Sequence, residues 1–161
     1  MNDAVVYEEW DQLIRILIPF LARCGAAAVC GALIGLEREL KSKPAGFRTN
    51  ILICLGSAMY MFVGLLLVNE AGETDSDSAR IAAQVVTGIG FLGAGSIIQD
   101  RGHVRGLTTA ATIWVVAAIG LIAGAGFPLL AFVATLIVIV TLAALHRVES
   151  KLTRHTDDED A

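Results

Sequence analysis

The chain has 161 residues, of which 55% are hydrophobic, 6% are aromatic and only 17% are charged. Its mean hydropathy of +0.68 lies well outside the range of soluble globular proteins and indicates a membrane protein. This balance excludes a nucleic-acid-binding module and a disordered chain. The formal net charge of -4 adds little, because residues of both signs lie outside the apolar segments.

Three cysteines, Cys24, Cys30 and Cys54, lie within apolar stretches. None belongs to a CxxC motif or has a neighbouring histidine, so the sequence predicts neither a zinc site nor a disulfide framework. We therefore expect these thiols to be small packing residues, and we expect the chain to bind no metal and no cofactor.

Apolar runs long enough to cross a bilayer occur five times. A hydrocarbon core about 30 Å thick requires about 20 apolar residues in a helix. The longest uncharged run, from Gly106 to Leu145, has 40 residues, and we divide it between Gly124 and Pro128 because glycine and proline interrupt helices. The predicted spans are residues 16–36, 49–69, 81–99, 107–124 and 127–145.

These spans predict an all-α integral membrane protein. A five-helix bundle with glycine-rich helix packing is expected over residues 1–145, followed by a short charged tail over residues 146–161. The N-terminal segment is acidic and leads into an apolar stretch of span length, so we expect the first helix to be retained and not cleaved as a signal peptide.

The basic residues predict how this bundle is oriented. Nine of the 12 lysines and arginines fall in the 38–48 loop, the 100–106 loop and the tail, all on one side of the spans. Because lysine and arginine concentrate in short cytoplasmic loops, the N-terminus is predicted outside and the C-terminus in the cytoplasm. Arg23 lies within the first span and is expected to extend toward the outer surface, with a helix interface as the alternative.

Glycines are concentrated in the first and third spans. Gly88–Gly93 matches the GxGxxG pattern of dinucleotide sites, but that pattern has meaning only between a strand and a helix, and here it lies inside a predicted span. A surface without side chains instead lets a neighbouring helix approach closely. We favour packing within the chain, and a dimer face is the other interpretation. The predicted helix-packing residues are Gly31, Gly35, Gly88, Gly90, Gly93 and Gly95.

The loop after the first span is rich in charge. Glu37 and Lys41 stand four residues apart, as do Glu39 and Lys43, which predicts that the helix continues into the cytoplasm until Pro44 stops it. One interpretation is a solvated helical overhang. The other is that Glu37 and Arg38 pair with another cytoplasmic loop.

The second cytoplasmic loop, residues 100–106, is predicted to be a tight turn. Thr108 and Thr109 follow it and offer hydroxyls that would cap the fourth helix. The simplest partner for Glu37 would be Arg105, because both lie at the same edge of the bundle. A helix N-terminus beside Arg105 also fits an anionic group, although a cap alone is the favoured interpretation.

Acidic residues are absent from spans two to five, as are lysine, arginine and histidine. Carriers of magnesium or protons use oxygen ligands or titratable groups at membrane depth. No nucleophile is paired with a base there either, so we expect no enzymatic activity.

Six short motifs, followed by Trp114, carry a family resemblance. They occur in chain order as Gly31–Glu39, Lys43–Thr49, Leu55–Ser57, Ala79–Val85, Gly88–Gly95 and Val104–Ala111. In this order and at this spacing they resemble the transmembrane domain of the MgtC/SapB family, over about residues 23–124.

This resemblance implies a multi-pass protein of the bacterial inner membrane, linked to growth in low magnesium and, in pathogens, to survival inside host cells. Many members carry a soluble cytoplasmic domain after the last span, which we expect to be absent here. Virulence-linked members can have asparagine and cysteine where this chain has Thr108 and Val115. The functional motif candidates are Glu37, Arg38, Lys43, Gly46, Arg48, Thr49, Arg80, Gln84, Arg105, Thr108, Thr109 and Trp114.

Two functional hypotheses follow. The leading one is a non-enzymatic homodimer that modulates other membrane proteins or membrane energetics, with the lipid bilayer, a second copy and other inner-membrane complexes as partners, and no nucleic acid. The alternative is a transporter or channel for magnesium or a monovalent cation, in which backbone carbonyls around Gly88–Gly95 replace carboxylates.

Overall fold

The computed structural model describes residues 3–71, 75–100 and 103–159, with side chains described for residues 10–69, 79–100, 103–145 and 147. It contains five α-helices and a two-stranded hairpin, in agreement with the five predicted helices. In chain order the elements are α1 (Asp3–Leu40), α2 (Phe47–Ala71), α3 (Asp75–Gly95), β1 (Ile98–Asp100), β2 (His103–Arg105), α4 (Leu107–Gly124) and α5 (Pro128–Glu159). Helix α5 continues through the predicted tail.

Four helices are long and apolar enough to cross a membrane, namely Trp10–Leu40, Phe47–Asn69, Leu107–Gly124 and Pro128–Leu145. The apolar part of α3, Ala79–Gly95, is shorter, and the predicted end of the third span at residue 99 is wrong. The Ser96 hydroxyl donates to the Gly93 carbonyl 2.7 Å away, and the chain then enters β1. Branched residues such as Ile97 and Ile98 fit a strand as readily as a helix, which their hydropathy alone does not distinguish.

The predicted turn over residues 100–106 is a β-hairpin. Its strands are antiparallel, with Ile98 opposite Arg105 and Asp100 opposite His103. Gly106 follows with φ 92° and is the N-cap of α4, where a β-carbon would collide with the Ser96 carbonyl oxygen. The predicted threonine cap is therefore wrong: α4 has no side-chain cap, because glycine occupies that position.

The turn between α1 and α2 follows the sequence prediction. Helix α1 continues beyond its apolar part and ends at Leu40, before Pro44. Ser42 adopts φ 51°, and the Lys43 backbone N–H donates to the Arg38 carbonyl at 3.0 Å. A left-handed residue followed by a backbone hydrogen bond that reaches back five residues is a common way to satisfy the last carbonyls of a helix.

Helix α4 is the centre of the bundle and contacts all four other helices. Its approach to α2 is closest at two glycines: a β-carbon at Gly120 would lie on the Cys54 carbonyl oxygen, and one at Gly124 would lie 2.8 Å from the Ala58 Cα. The buried hydrophobic core consists of Ala27, Cys30, Ile34, Ile53, Cys54, Ala58, Ile89, Ile113, Val116, Ala117, Ile119, Ala123 and Ala131. Alanine and cysteine make up seven of these 13 residues, which suits helices that associate in lipid by close approach.

Arg23 lies at a helix interface, the alternative that the sequence left open, and contacts the turn that joins α4 to α5. Its Nη1 donates to the Gly124 carbonyl at 2.9 Å, and its guanidinium lies 5.0 Å from the centre of the Phe62 ring. A cation at the C-terminus of α4 interacts favourably with the partial negative charge of that helix end. Arg23 thereby holds the turn around Gly126, which has φ 98°.

Candidate functional site

A polar cluster forms where α1 ends. The Glu37 carboxylate lies 2.6 Å from Lys41 Nζ and 3.7 Å from Arg38 Nη1, and the Arg38 side chain is only 4% exposed. Among the described side chains, Glu37 forms ion pairs with Lys41 and Arg38. Arg105 lies on the exposed strand β2, so the predicted pair with Glu37 is wrong. Glu37 instead pairs with Lys41 one turn along α1, and both of its buried carboxylate oxygens lack a hydrogen-bond partner among the described residues.

Glu39 caps the next helix. Its carboxylate accepts the Phe47 backbone N–H at 3.0 Å and lies against Gly46, where any β-carbon would collide with it. The first amides of a helix have no partner within the helix, and a carboxylate there is favoured by the helix dipole. A larger residue at position 46 would displace the end of the Glu39 side chain and with it this cap.

Asn50 is a site residue that sequence reasoning missed. It is fully buried between α1 and α2, and its Nδ2 donates to the carbonyls of Ala45 and Gly46, the latter at 2.8 Å. Its Oδ1 and the Nε of Arg38 are both buried without a hydrogen-bond partner among the described atoms. The sequence signal that could have identified Asn50 is its amide side chain at the start of an uncharged span.

Helices α2 and α3 enclose a groove of about 1410 Å³. They touch where Ile81 packs on Gly64. The walls include Gly56, Gly88 and Gly95, each with no neighbouring atom within 4 Å of its β-carbon position. Four largely buried residues form the floor: Ile53, Ser57, Ile89 and Ile113.

The groove has polar residues at both ends. Arg80 and Gln84 lie at the end near the α2–α3 connection, which we call the Arg80 end, and Tyr60 lines the same part of the groove from α2. Thr49 and Ser96 lie at the opposite end, beside the hairpin. Three functional motif candidates thus line one groove: Arg80 and Gln84, one turn apart on α3, and Thr49 of α2 at the other end.

The other candidates do not join this groove. Thr109 is buried against the bundle, whereas Lys43, Arg48, Arg105, Thr108 and Trp114 are exposed. Of the α3 glycines only Gly93 approaches a helix, with Ala110 atoms 3.7 Å from its β-carbon position. The expected packing of Gly88, Gly90 and Gly95 within the chain is therefore not met. Gly31 does face α2 closely, with the Asn50 carbonyl oxygen 2.6 Å from its β-carbon position.

A second surface of α3 is also bare. Ala83, Thr87, Gly90 and Ala94 are all exposed and follow each other at steps of four, three and four residues. This spacing places them on one side of the helix, roughly opposite Gly88. We call these four residues the small-residue face.

Together, the apolar helices, their glycine contacts and the open groove define a multi-span α-helical membrane protein. The MgtC family model matches residues 25–151, and the chain belongs to this family.

Three relatives illustrate the similarity. The chain is 45% identical over 130 residues to YhiD of Escherichia coli K12, named "Putative magnesium transporter YhiD", covering 79% of this chain and 60% of that protein. It is 46% identical over 125 residues to Protein MgtC of Brucella abortus strain 2308, covering 77% and 50%. Protein MgtC of Salmonella typhimurium LT2 is 43% identical over 125 residues, covering 77% and 51%. The chain thus spans about half to three-fifths of these relatives, and no solved structure matches it.

Proposed function

We propose that this protein is a non-enzymatic component of the bacterial inner membrane, with its N-terminus outside, that modulates other membrane proteins or membrane energetics. It acts as a homodimer through the small-residue face of α3. Its role is in adaptation to low magnesium or in virulence, as the resemblance of its motifs to the MgtC/SapB family implies. The exposure of the small-residue face is the observation that carries the proposal.

Small residues at steps of four and three are suited to helix association. In lipid, helices associate by close packing and not by hydrophobic burial, so residues without bulk bring two backbones together. Among the described residues no atom lies within 4 Å of the β-carbon position of Gly90, and Ala83, Thr87 and Ala94 are exposed. Thr87 is also satisfied internally, because its hydroxyl donates to the Ala83 carbonyl at 2.9 Å. The face therefore offers a smooth surface without an unmet polar group in its side chains.

We expect Gly90→Leu to weaken dimerisation by about tenfold or more, because about 1.4 kcal/mol of lost packing gives that factor. Energy transfer between labelled copies in liposomes measures the change. Gly25→Leu is the matched control, since Gly25 on α1 is equally exposed and has no neighbour within 4 Å. Equal dimerisation of wild type and Gly90→Leu would contradict the proposed interface.

Cation transport is the second candidate function, favoured by the name of YhiD and by the open glycines of the groove. The acids between Thr49 and Leu145 are Glu70, Glu73, Asp75, Asp77 and Asp100, all outside the apolar spans. Magnesium is held by carboxylates or phosphates and loses water reluctantly, so neutral oxygens such as those of Thr49, Ser57 and Ser96 suit it poorly.

We therefore expect no magnesium uptake by the purified protein in proteoliposomes loaded with a magnesium-sensitive dye. Empty liposomes give the baseline. Gly88→Leu narrows the groove and therefore tests whether any uptake above the baseline passes through it. Uptake that exceeds the baseline and disappears in Gly88→Leu would make transport the first hypothesis.

A further inference from the structure

We propose that the groove between α2 and α3 binds a neutral isoprenoid quinone, with the carbonyl oxygens of its ring at Tyr60 and Gln84 and its apolar tail along the floor toward the hairpin. This inference is independent of the proposed homodimer, because the groove and the small-residue face lie on different sides of α3.

Tyr60 and Gln84 lie at the same depth on opposite walls of the groove. Helices α2 and α3 touch where Ile81 packs on Gly64. Tyr60 precedes Gly64 by four residues and Gln84 follows Ile81 by three, so each lies roughly 5–6 Å from this contact along its helix. Successive helices with a short connection run in opposite directions, so both displacements point toward the hairpin. The two polar side chains therefore line one level of the groove, Tyr60 from α2 and Gln84 from α3.

This level lies within the apolar part of a bilayer. Tyr60 is nine residues from Asn69, where the apolar helix Phe47–Asn69 ends, which corresponds to about 14 Å of helix. In a hydrocarbon core about 30 Å thick, that distance is close to the middle. Among the described residues, neither the Tyr60 hydroxyl nor the Gln84 amide has a hydrogen-bond partner. A donor without an acceptor is costly where there is no water, so an occupant that accepts these two hydrogen bonds is favoured.

The occupant that these two donors select is neutral and carries acceptors. Arg80 at the adjoining end has a partner of its own, and four acidic residues precede it in the 70–77 segment, so charge does not favour an anion. The phosphate and ester groups of a phospholipid stay near the bilayer surface and do not reach the level of Tyr60. A quinone ring has no charge and can enter the hydrocarbon core. Its two carbonyl oxygens point in opposite directions, which matches donors on opposite walls.

The remainder of the groove fits an isoprenoid tail. From Gln84 to Ser96 the α3 wall extends about 18 Å. The groove volume of about 1410 Å³ exceeds the roughly 300–1,000 Å³ typical of small-molecule pockets, so a ring alone would leave much of it unfilled. Among the described residues no atom lies within 4 Å of the β-carbon positions of Gly56, Gly88 and Gly95, which leaves room for branched methyl groups against the helix backbone.

Hydrogen bonding also favours a quinone over a second helix as the occupant. The backbone carbonyls of a membrane helix already accept hydrogen bonds within that helix. A helix could therefore meet Tyr60 and Gln84 only through polar side chains placed at this one level. Both carbonyl oxygens of a quinone are available without any such requirement.

The test compares the retention of two probes with the same saturated tail. Wild type is reconstituted in phosphatidylcholine nanodiscs with equal amounts of decylubiquinone, which has two ring carbonyls, and decylbenzene, which has none. The bound probes are then counted by native mass spectrometry. We expect the quinone to be enriched about fivefold or more over decylbenzene, the factor that one net hydrogen bond gives.

Two substitutions remove the donors singly. Tyr60→Phe and Gln84→Leu should each lower quinone retention about fivefold and leave decylbenzene retention unchanged. Because neither side chain has a hydrogen-bond partner among the described residues, both variants should unfold at the temperature of wild type.

Two leucine variants separate the groove from the rest of α3. Gly88→Leu should lower the retention of both probes, whereas Gly90→Leu, outside the groove lining, should retain as much as wild type. Both positions have open space, so thermal unfolding should show both variants folded.

Three outcomes would overturn the inference: equal retention of the two probes by wild type, quinone retention unchanged in both Tyr60→Phe and Gln84→Leu, or dissociation of a dimer by Gly88→Leu. The last would identify a second copy as the occupant. Loss of dimerisation in Gly90→Leu with quinone retention intact supports both proposals, whereas unchanged dimerisation in that variant contradicts the homodimer alone.

Discussion

Gly120→Ala is expected to destabilise the bundle by about 3 kcal/mol, the upper part of the range for overpacked cores. The new methyl group would lie on the Cys54 carbonyl oxygen and 2.8 Å from the Ser57 Cβ, and neither atom belongs to a flexible side chain. Helices α2 and α4 must therefore separate, which opens the contact at the centre of the bundle.

The control for this substitution is Gly56→Ala on α2. Gly56 has no neighbouring atom within 4 Å of its β-carbon position, so alanine there adds helix propensity, worth up to about 1 kcal/mol, without a collision. Thermal unfolding in one detergent compares the two variants. If they unfold at the same temperature, the close contact between α2 and α4 is incorrect.

Asn50→Leu is expected to cost about 2 kcal/mol, because the Ala45 and Gly46 carbonyls lose the amide that binds them. Leucine has a similar branched shape but is larger, so crowding at this fully buried position adds to the loss of hydrogen bonds. Removal of the unpaired Oδ1 offsets part of the cost. Thermal unfolding again gives the measurement.

Asn69→Leu provides the matched change, since Asn69 is exposed near the other end of α2. The unfolding temperature of this variant should equal that of wild type within experimental error or be slightly higher. Equal destabilisation of both variants would show that the amide of Asn50 has no special role in the α1–α2 turn.

Both predictions depend on contacts that sequence patterns do not specify. The glycines of α1 and α3 predicted close packing, which the structure has at Gly31 and Gly35 of α1, and it adds close contacts at Gly120 and Gly124 of α4. Gly88 and Gly90 have the same residue type in the same kind of span, yet both face open space. The difference arises because α3 lies at the periphery of the bundle, and spacing within one helix does not determine where that helix is placed.

The sequence alone determined the membrane class, the number of helices and the family resemblance, because hydropathy and motif order are local properties of the chain. It also predicted the end of α1 before Pro44, since proline acts on its immediate neighbours. Tertiary structure decided the interface position of Arg23 and the burial of Asn50. It also brought Thr49, Arg80 and Gln84 to one groove. Each of these depends on which helices become neighbours, and that choice is made by packing across the whole bundle.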